Sequence, residues 1–176
     1  EPGAKPEYSW VGLAARAVGT IVHAELQRLA ALTVLPAQAD IAADDYLVWL
    51  AELGVAKPER AAARDRIRDA LARTLSDPRG RWLLRGTREA HSELRLTGMH
   101  EGRVINIVID RLIVDEHGDR WIVDYKTSSH EGGDLEGFLA LQAQRYGPQL
   151  QRYAELTQQH AAGVTRAALY FPLLGE

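Results

Sequence analysis

Two aspartates and a lysine near the middle of the chain have the types and spacing needed for hydrolytic chemistry. Thirteen residues separate Asp110 from Asp124, and Lys126 follows two positions later. The surrounding residues are mostly Val, Ile and Trp. Two carboxylates held together there repel each other, so either one has a raised pKa or a cation lies between them. The residues predict a divalent metal site beside an ammonium group; the alternative is a salt-bridge cluster on a solvated sheet face.

A β-hairpin over residues 104–127 has to position these groups. Its two halves, 104–115 and 120–127, are rich in Val, Ile and other β-forming residues, and this composition and length indicate strands. A short loop over residues 116–118 remains between them.

The register of the hairpin depends on how Gly118 is used. A two-residue turn would place Asp110 opposite Tyr125. A three-residue loop places Asp110 opposite Asp124 and gives Gly118 the left-handed position that such loops require. We predict the second register. Because directly opposed residues share a face, it puts both aspartates and Lys126 on one side of the hairpin.

Helices are predicted before the hairpin. Residues 1–8 are expected to form an arm or linker, and Ser9 to cap a helix that continues to Leu35, with a possible break at Gly19. Residues 36–88 are expected to form a helical insert. Within it, we predict an opening at Pro58, a turn over 77–80, a short helical piece at 82–84 and a buried face of Ala63, Ile67, Leu71 and Leu75.

Sheet and helix also follow from the remaining pattern. A first strand is predicted from His91 to Thr97, because Ser92, Leu94 and Leu96 alternate with polar residues. A helix is predicted from Asp134 to His160, interrupted at Gly147-Pro148. A last, buried strand is predicted from Ala167 to Leu173. These elements amount to one domain over residues 1–176, with its sheet core and C-terminal helices in 89–176.

Composition excludes several classes of protein. The chain has 176 residues, 46% hydrophobic and 26% charged, and no cysteine, which excludes disulfides and thiolate metal sites. We find neither a signal peptide nor an apolar run of the roughly 18–20 residues that cross a membrane. The first residue is Glu1, which fits an expectation that the sequence is a piece of a longer protein.

Charge is distributed unevenly. The net charge is −3, yet residues 60–88 hold nine arginines and three aspartates, a net of +6, so the remainder carries −9. We interpret the cluster as a basic flank that contacts nucleic acid, next to an acidic metal site. The alternative is a solvated helix with internal ion pairs, which fits any single arginine better.

The pattern Asp-x13-Asp-x-Lys resembles the core of the PD-(D/E)xK nuclease superfamily, and more narrowly the RecB-like nuclease domains at the C-termini of bacterial helicase-nucleases. Three further stretches resemble motifs of that family in the same order. They are the helix motif Gly19 to Leu26, the strand motif His91-Ser92-Glu93-Leu94, and the Y-x2-Q-L-x2-Y helix from Tyr146 to Tyr153. A proline does not precede Asp110; Ile109 stands there, as is common in RecB-like members.

The resemblance implies an α/β, restriction-endonuclease-like fold, with a mixed sheet of about four strands flanked by helices and a helical insert. It also implies that Asp110 and Asp124 bind Mg²⁺ or Mn²⁺, together with His23 and the carbonyl of Tyr125. Oxygen ligands suit Mg²⁺, and an imidazole ligand shifts preference toward Mn²⁺. The bound ion would activate water and stabilise phosphate oxygens.

Roles for the other site residues follow from the same resemblance. Lys126 would orient the water or stabilise the transition state; two adjacent carboxylates should keep it charged, which disfavours general base catalysis. Glu93 would bind a second metal or hold Lys126. Gln149 and Tyr153 would position water or contact the DNA backbone.

The function implied is that of a metal-dependent deoxyribonuclease, the exonuclease domain of a DNA-repair and recombination helicase-nuclease. Its expected partners are DNA, with a single-stranded end favoured, and helicase domains in the same or a partner chain. The expected location is the bacterial cytoplasm near the nucleoid, with no membrane. The sequence has no phosphate-binding loop of the G-x4-G-K-[ST] type, so ATP hydrolysis is not expected within it. An inactive DNA-binding or protein-docking module that keeps the fold is the alternative.

Overall fold

A computed structural model describes residues 6–36, 43–85, 89–128, 130, 133–160 and 163–176. Within these ranges the chain forms five helices and four strands. In order they are α1 (Pro6–Ala30), α2 (Ala43–Glu52), α3 (Lys57–Ser76), α4 (Pro78–Arg85), β1 (Glu89–His100), β2 (Arg103–Val114), β3 (Arg120–Tyr125), α5 (Leu135–His160) and β4 (Thr165–Tyr170).

The four strands form one mixed sheet in the order β1-β2-β3-β4. β1 and β2 pair antiparallel, as do β2 and β3, whereas β4 returns parallel to β3 after the crossover through α5. The predicted α/β class with a four-stranded mixed sheet is therefore confirmed. β4 lies at an edge as predicted, but it is not uniformly buried, since Arg166 and Ala167 are exposed.

Helices cover both faces of the sheet. α1 to α4 pack on one face, here called the helical-insert face, where their apolar side chains meet Ile113, Val123 and Tyr125. α5 packs on the other face, where Leu156 meets Ile109 and Ile122. Burying both faces removes the apolar side chains of the central strands from water. This stabilises the fold by about 25 cal/mol for each Å² of apolar surface that is buried.

The hairpin has the predicted register. Arg111 pairs with Val123, and the main-chain N–H of Asp115 donates to the carbonyl of Asp119. Gly118 has a φ of +88°, the left-handed backbone that a three-residue loop requires. Continued by one residue, this register sets Asp110 opposite Asp124, and the two-residue turn is excluded.

α1 corrects two predictions. It begins at Pro6 rather than after a Ser9 cap, and it runs without a break through Gly19 to Ala30, so it ends before Leu35. A glycine in a helix interior costs about 1 kcal/mol. The buried side chains of Val18 and Val22, on either side of it, outweigh that cost by packing into the core.

α5 corrects a third prediction. The helix continues through Gly147 and Pro148 instead of restarting there. A proline removes one hydrogen bond from a helix, yet the residues on both sides of Pro148 remain helical. The N-terminal end is closed by Asp134, whose Oδ1 accepts from the N–H of Gly137 at 2.8 Å.

The helical insert follows the predicted pattern with one exception. The predicted face of α3 is buried, and a proline occupies its first turn. The predicted turn over 77–80 is instead the start of α4: Asp77 accepts hydrogen bonds from the N–H groups of Arg79 and Gly80, as a helix cap does. Among the described residues, no helix is both long and apolar enough to cross a membrane.

Candidate metal centre

The alternation of buried side chains shifts by one position at Asp110. Before it, Ile107 and Ile109 face α5; after it, Leu112 does so. Glu93, the residue of β1 that this register places opposite Asp110, has a left-handed backbone with a φ of +52°. Such an irregularity re-aims side chains where a ladder is interrupted. As a result, Asp110 and Arg111 both turn toward the helical-insert face.

Three groups of metal-ligating type converge there. One ligand atom each from His23, Glu93 and Asp110 lie within 4.8 Å of one another. His23 comes from α1, and its Nδ1 is 3.7 Å from Oδ2 of Asp110. The three residues come from a helix and two strands, so the fold itself assembles the group.

The main chain of Tyr125 joins the same cluster from β3. Its N–H donates to Oδ2 of Asp110 at 2.8 Å, and its carbonyl accepts from Nε2 of His23 at 3.0 Å. The Tyr125 ring is buried and meets the His23 ring edge to face, with centroids 5.8 Å apart. The side chain of Tyr125 therefore fixes the imidazole, while its carbonyl points at the cluster.

Asp124 and Lys126 form an adjacent ion pair. Nζ of Lys126 is 2.6 Å from Oδ2 of Asp124, and it also lies 4.2 Å from the ring centroid of Tyr146 on α5. Asp124 is buried, and its Oδ2 accepts no hydrogen bond of regular geometry within the described residues. Asp124 stands outside the three-residue group but close enough to act electrostatically on Asp110. Lys126 lies against Tyr146 of α5, whereas Asp110 turns toward His23 of α1 because the alternation shifts at Asp110. The prediction that both aspartates and Lys126 share one side of the hairpin is therefore wrong.

α1 approaches the end of β3 closely because Gly19 has no side chain. A Cβ at that position would lie 3.1 Å from Oγ1 of Thr127. One helical turn later, His23 is thereby carried up to Tyr125 and Asp110. Gly19 thus permits a close approach, whereas the predicted break of the helix there does not occur.

The electrostatics of the cluster favour a cation. Burial raises the pKa of Asp110, and the carboxylates of Asp124 and Glu93 raise it further, against the lowering effects of His23 and the Tyr125 N–H. Charged carboxylates in such a place require a positive partner. The carboxylates of Glu93 and Asp110, the imidazole of His23 and the neighbouring carboxylate of Asp124 match the oxygen-rich donor sets of Mg²⁺ and Mn²⁺. The residues present fit a divalent ion.

Gln149 and Tyr153 are placed apart from this cluster. Nε2 of Gln149 donates to the hydroxyl of Tyr153 at 3.1 Å. Both line a cavity of about 570 Å³ together with Ile105 and Arg152. Within the described part of the chain, neither forms a hydrogen bond or ion pair with Asp110, Asp124 or Lys126.

The arginines of 60–88 have mixed surroundings. Several bind within the fold: Arg60 donates to the carbonyl of Val55, and Arg81 donates to the carbonyls of Pro36 and Leu75. Arg66 also lines a groove beside His23. Arg88 lies outside the described residues. Arg64 and Arg79 form ion pairs with carboxylates, as the ion-pair alternative expects, and the nucleic-acid interpretation applies to the arginine that lines the groove.

Two features of the site were missed in the sequence. Tyr146 was noted as a motif residue, but nothing in its spacing indicated contact with Lys126. Arg111, next to Asp110, is 3% exposed and donates to the carbonyls of Leu83 and Leu84 and the hydroxyl of Ser92. A positive residue alternating with Val and Ile in a buried strand was the signal that could have marked it.

Comparison with known proteins places the chain in a family. A sequence model of the PD-(D/E)XK nuclease superfamily matches residues 6–174. The chain belongs to the PD-(D/E)XK nuclease superfamily, whose members hydrolyse phosphodiester bonds with divalent metal ions.

Other comparisons add little. No curated protein matches the sequence. Among solved structures, protein VC1899 from Vibrio cholerae is similar at 14% identity and a TM-score of 0.32. That match covers 96% of this chain and 48% of the Vibrio protein, so the chain spans about half the length of that relative.

Proposed function

We propose that the protein is a metal-dependent deoxyribonuclease that acts as an exonuclease on single-stranded DNA ends. The convergence of His23, Glu93 and Asp110, next to the Asp124–Lys126 pair, carries this proposal. The resemblance to RecB-like domains supports a role in DNA repair and recombination, with helicase domains as partners, in the bacterial cytoplasm near the nucleoid.

Each residue has a chemical task in this proposal. His23, Asp110, Asp124 and the Tyr125 carbonyl would hold Mg²⁺ or Mn²⁺, with Glu93 as a further ligand. When bound, the ion supplies Lewis-acid stabilisation of phosphate charge and makes water more acidic.

Lys126 has the electrostatic role. Its ammonium contacts the Asp124 carboxylate and the Tyr146 ring, which fix its position. An ammonium has three N–H donors, so others remain available for water or phosphate. From there it can orient water and oppose the negative charge that develops on the phosphate. Its ion pair with the Asp124 carboxylate at 2.6 Å places a positive charge beside the cluster, which is what the electrostatic role needs.

The test combines metal binding with cleavage. Mn²⁺ is titrated calorimetrically into the wild type and into Asp110→Asn and Asp124→Asn, while a labelled 40-nucleotide single strand and a closed circular single strand are incubated in parallel. We expect saturable binding that is lost or strongly weakened in both variants. We also expect cleavage of the linear strand only, because an exonuclease needs an end.

Further variants isolate Lys126 and control for charge. Lys126→Met is expected to lower the cleavage rate at least a hundredfold. Glu116→Gln at the exposed hairpin tip removes one charge far from the cluster and should leave binding and cleavage unchanged. Full activity in Asp124→Asn or Lys126→Met, with the fold confirmed by circular dichroism, contradicts the site assignment. Saturable binding with no cleavage of any substrate favours the inactive-module alternative.

A further inference from the structure

A basic groove runs beside the candidate metal centre along α1. It has a volume of about 870 Å³, and one wall is the stripe of α1 that holds Arg16, Thr20 and Gln27. The facing walls come from Arg95 on β1 and Arg66 on α3. We name this feature the arginine groove. His23 and Glu93 also line it, so it opens directly onto the candidate centre.

The charge of the groove favours an anion. Of the described residues that line it, three are arginines and one, Glu93, carries a carboxylate. Arg16 donates its Nε to a carbonyl of its own helix, that of Gly12, and neither Arg16 nor Arg95 has a carboxylate partner within the described residues. Guanidinium groups that are not paired with carboxylates offer forked donors that match phosphate oxygens.

The dimensions of the groove suit a polymer. Gln27 lies eleven positions after Arg16, which is about 16 Å along a helix axis. At the roughly 3.4 Å per phosphate of one strand in a duplex, that length accompanies about five phosphates, and fewer in a more extended strand. The groove therefore continues well past the single phosphate that the metal centre would hold.

The lining of the groove indicates what part of the polymer is recognised. Small residues of α1, Ala15, Gly19 and Ala24, also line the groove, as do Thr20 and Thr127, which carry hydroxyl groups. Among the described residues, no Phe, Tyr or Trp side chain lines it, so this part of the chain offers it none of the large rings on which bases stack. Arginines and hydroxyls contact phosphates, which carry no sequence information.

We infer that the arginine groove binds the phosphate backbone of the substrate strand without regard to sequence, and that Arg16 and Arg95 are its principal contacts. This inference rests on the proposed nuclease function, since it assigns the path of the strand that leads to the cluster. It adds to that function a binding site outside the metal centre, with its own residues and its own salt dependence.

The test measures binding without cleavage. Fluorescence anisotropy of a labelled 20-nucleotide oligo-dT and of a mixed-sequence strand is followed in EDTA over a series of NaCl concentrations. The proteins are the wild type, Arg16→Gln, Arg95→Gln, the double variant and Arg68→Gln. Arg68 is an exposed arginine of α3 that does not line the groove, so it controls for net charge.

Each groove variant is expected to weaken binding several-fold, equally for both strands. In the double variant, the slope of log K against log salt should become shallower by about 1.4, since each phosphate contact on a single strand contributes about 0.7. Arg68→Gln should keep the wild-type slope. A double variant with the wild-type affinity and slope overturns the inference, as does a loss confined to one sequence.

Failure of this inference can be told from failure of the nuclease proposal. If cleavage depends on Asp110 and Asp124 but the groove variants bind normally, the strand takes another path. The proposed nuclease function is then retained and the groove inference is contradicted. If the groove variants lose binding while no metal-dependent cleavage occurs, the groove stands and the catalytic proposal fails.

Discussion

The ammonium of Lys126 is held from two directions. Oδ2 of Asp124 lies 2.6 Å from Nζ on one side, and the ring of Tyr146 lies below it at 4.2 Å on the other. A cation over an aromatic ring gains about 0.5–2 kcal/mol, more when it is removed from water. Tyr146 therefore fixes the direction in which Lys126 presents its hydrogens.

This contact yields a prediction for Tyr146. Tyr146→Leu removes the ring that faces Nζ, so kcat is expected to fall between about twofold and thirtyfold, the equivalent of the cation–π energy. KM for the strand should change little, because Tyr146 is not part of the arginine groove. Cleavage kinetics on the labelled linear strand measure both constants.

A matched substitution separates the ring from the hydroxyl. Tyr146→Phe keeps the ring and should retain most of the wild-type kcat. If Tyr146→Leu and Tyr146→Phe lose activity equally, the hydroxyl group is what matters, and the positioning role of the ring is refuted.

At the scale of elements, Arg111 joins α4 to the sheet. The side chain leaves β2, reaches across the helical-insert face and donates to the carbonyls of Leu83 and Leu84 at 2.8 and 2.9 Å. These carbonyls belong to the last turn of α4, where a helix leaves such groups unpaired and where a cation is favourable. Burial lowers the pKa of Arg111, yet the guanidinium stays charged at any working pH.

Removing this contact should destabilise the fold. Arg111→Met leaves two buried carbonyls and the hydroxyl of Ser92 without their donor, and we expect the free energy of unfolding to fall by roughly 2–4 kcal/mol. Urea denaturation followed by circular dichroism measures it. Arg103→Met, at an exposed position of the same strand, should change the free energy by less than about 0.5 kcal/mol; an equal loss in both variants contradicts the role of Arg111.

Local sequence was sufficient for the hairpin and the insert. Gly118 determined the register because one loop length needs a left-handed residue at that place and the other does not. The face of α3 followed from helical spacing alone. Both depend on neighbours within a few residues, which a single sequence contains.

Other features depend on partners that are distant in sequence. A possible break at Gly19 and an interruption at Gly147-Pro148 were predicted, but α1 and α5 continue across these positions. The left-handed backbone of Glu93 appears only when β1 meets β2 at Asp110. The contact of Lys126 with Tyr146 joins β3 to α5, and no local pattern encodes that meeting.

At the scale of the whole molecule, the buried carboxylate of Asp110 lowers the free energy of unfolding when no cation is bound. Burial raises its pKa, so the metal-free fold disfavours the charged form. The contribution of this group to stability is fully present below the unfolded pKa near 4 and is lost as pH rises through the folded pKa. Asparagine, a neutral residue of the same shape, does not lose this contribution as pH rises.

The order of stability of the wild type and Asp110→Asn should therefore reverse when metal is added. In EDTA at pH 7, Asp110→Asn is expected to have a Tm a few degrees above the wild type, and the difference should vanish below about pH 4. With Mn²⁺ at a hundred times its Kd, the wild type should gain about 2.7 kcal/mol, roughly 5–11 °C in Tm. Scanning calorimetry checks the reversal; parallel shifts in both proteins contradict it.

The parallel pairing of β4 has a consequence for how the protein is made. β3 holds Asp124 opposite Leu169, and the N–H of Lys126 donates to the carbonyl of Tyr170, so both catalytic candidates are anchored from β4. A ribosome that has released the chain only as far as α5 leaves that edge of β3 unpaired. The nascent polypeptide then carries Asp124 and Lys126 without the strand that anchors them. In the proposed nuclease, the arrangement of Asp124 and Lys126 is therefore complete only after β4 has emerged and docked.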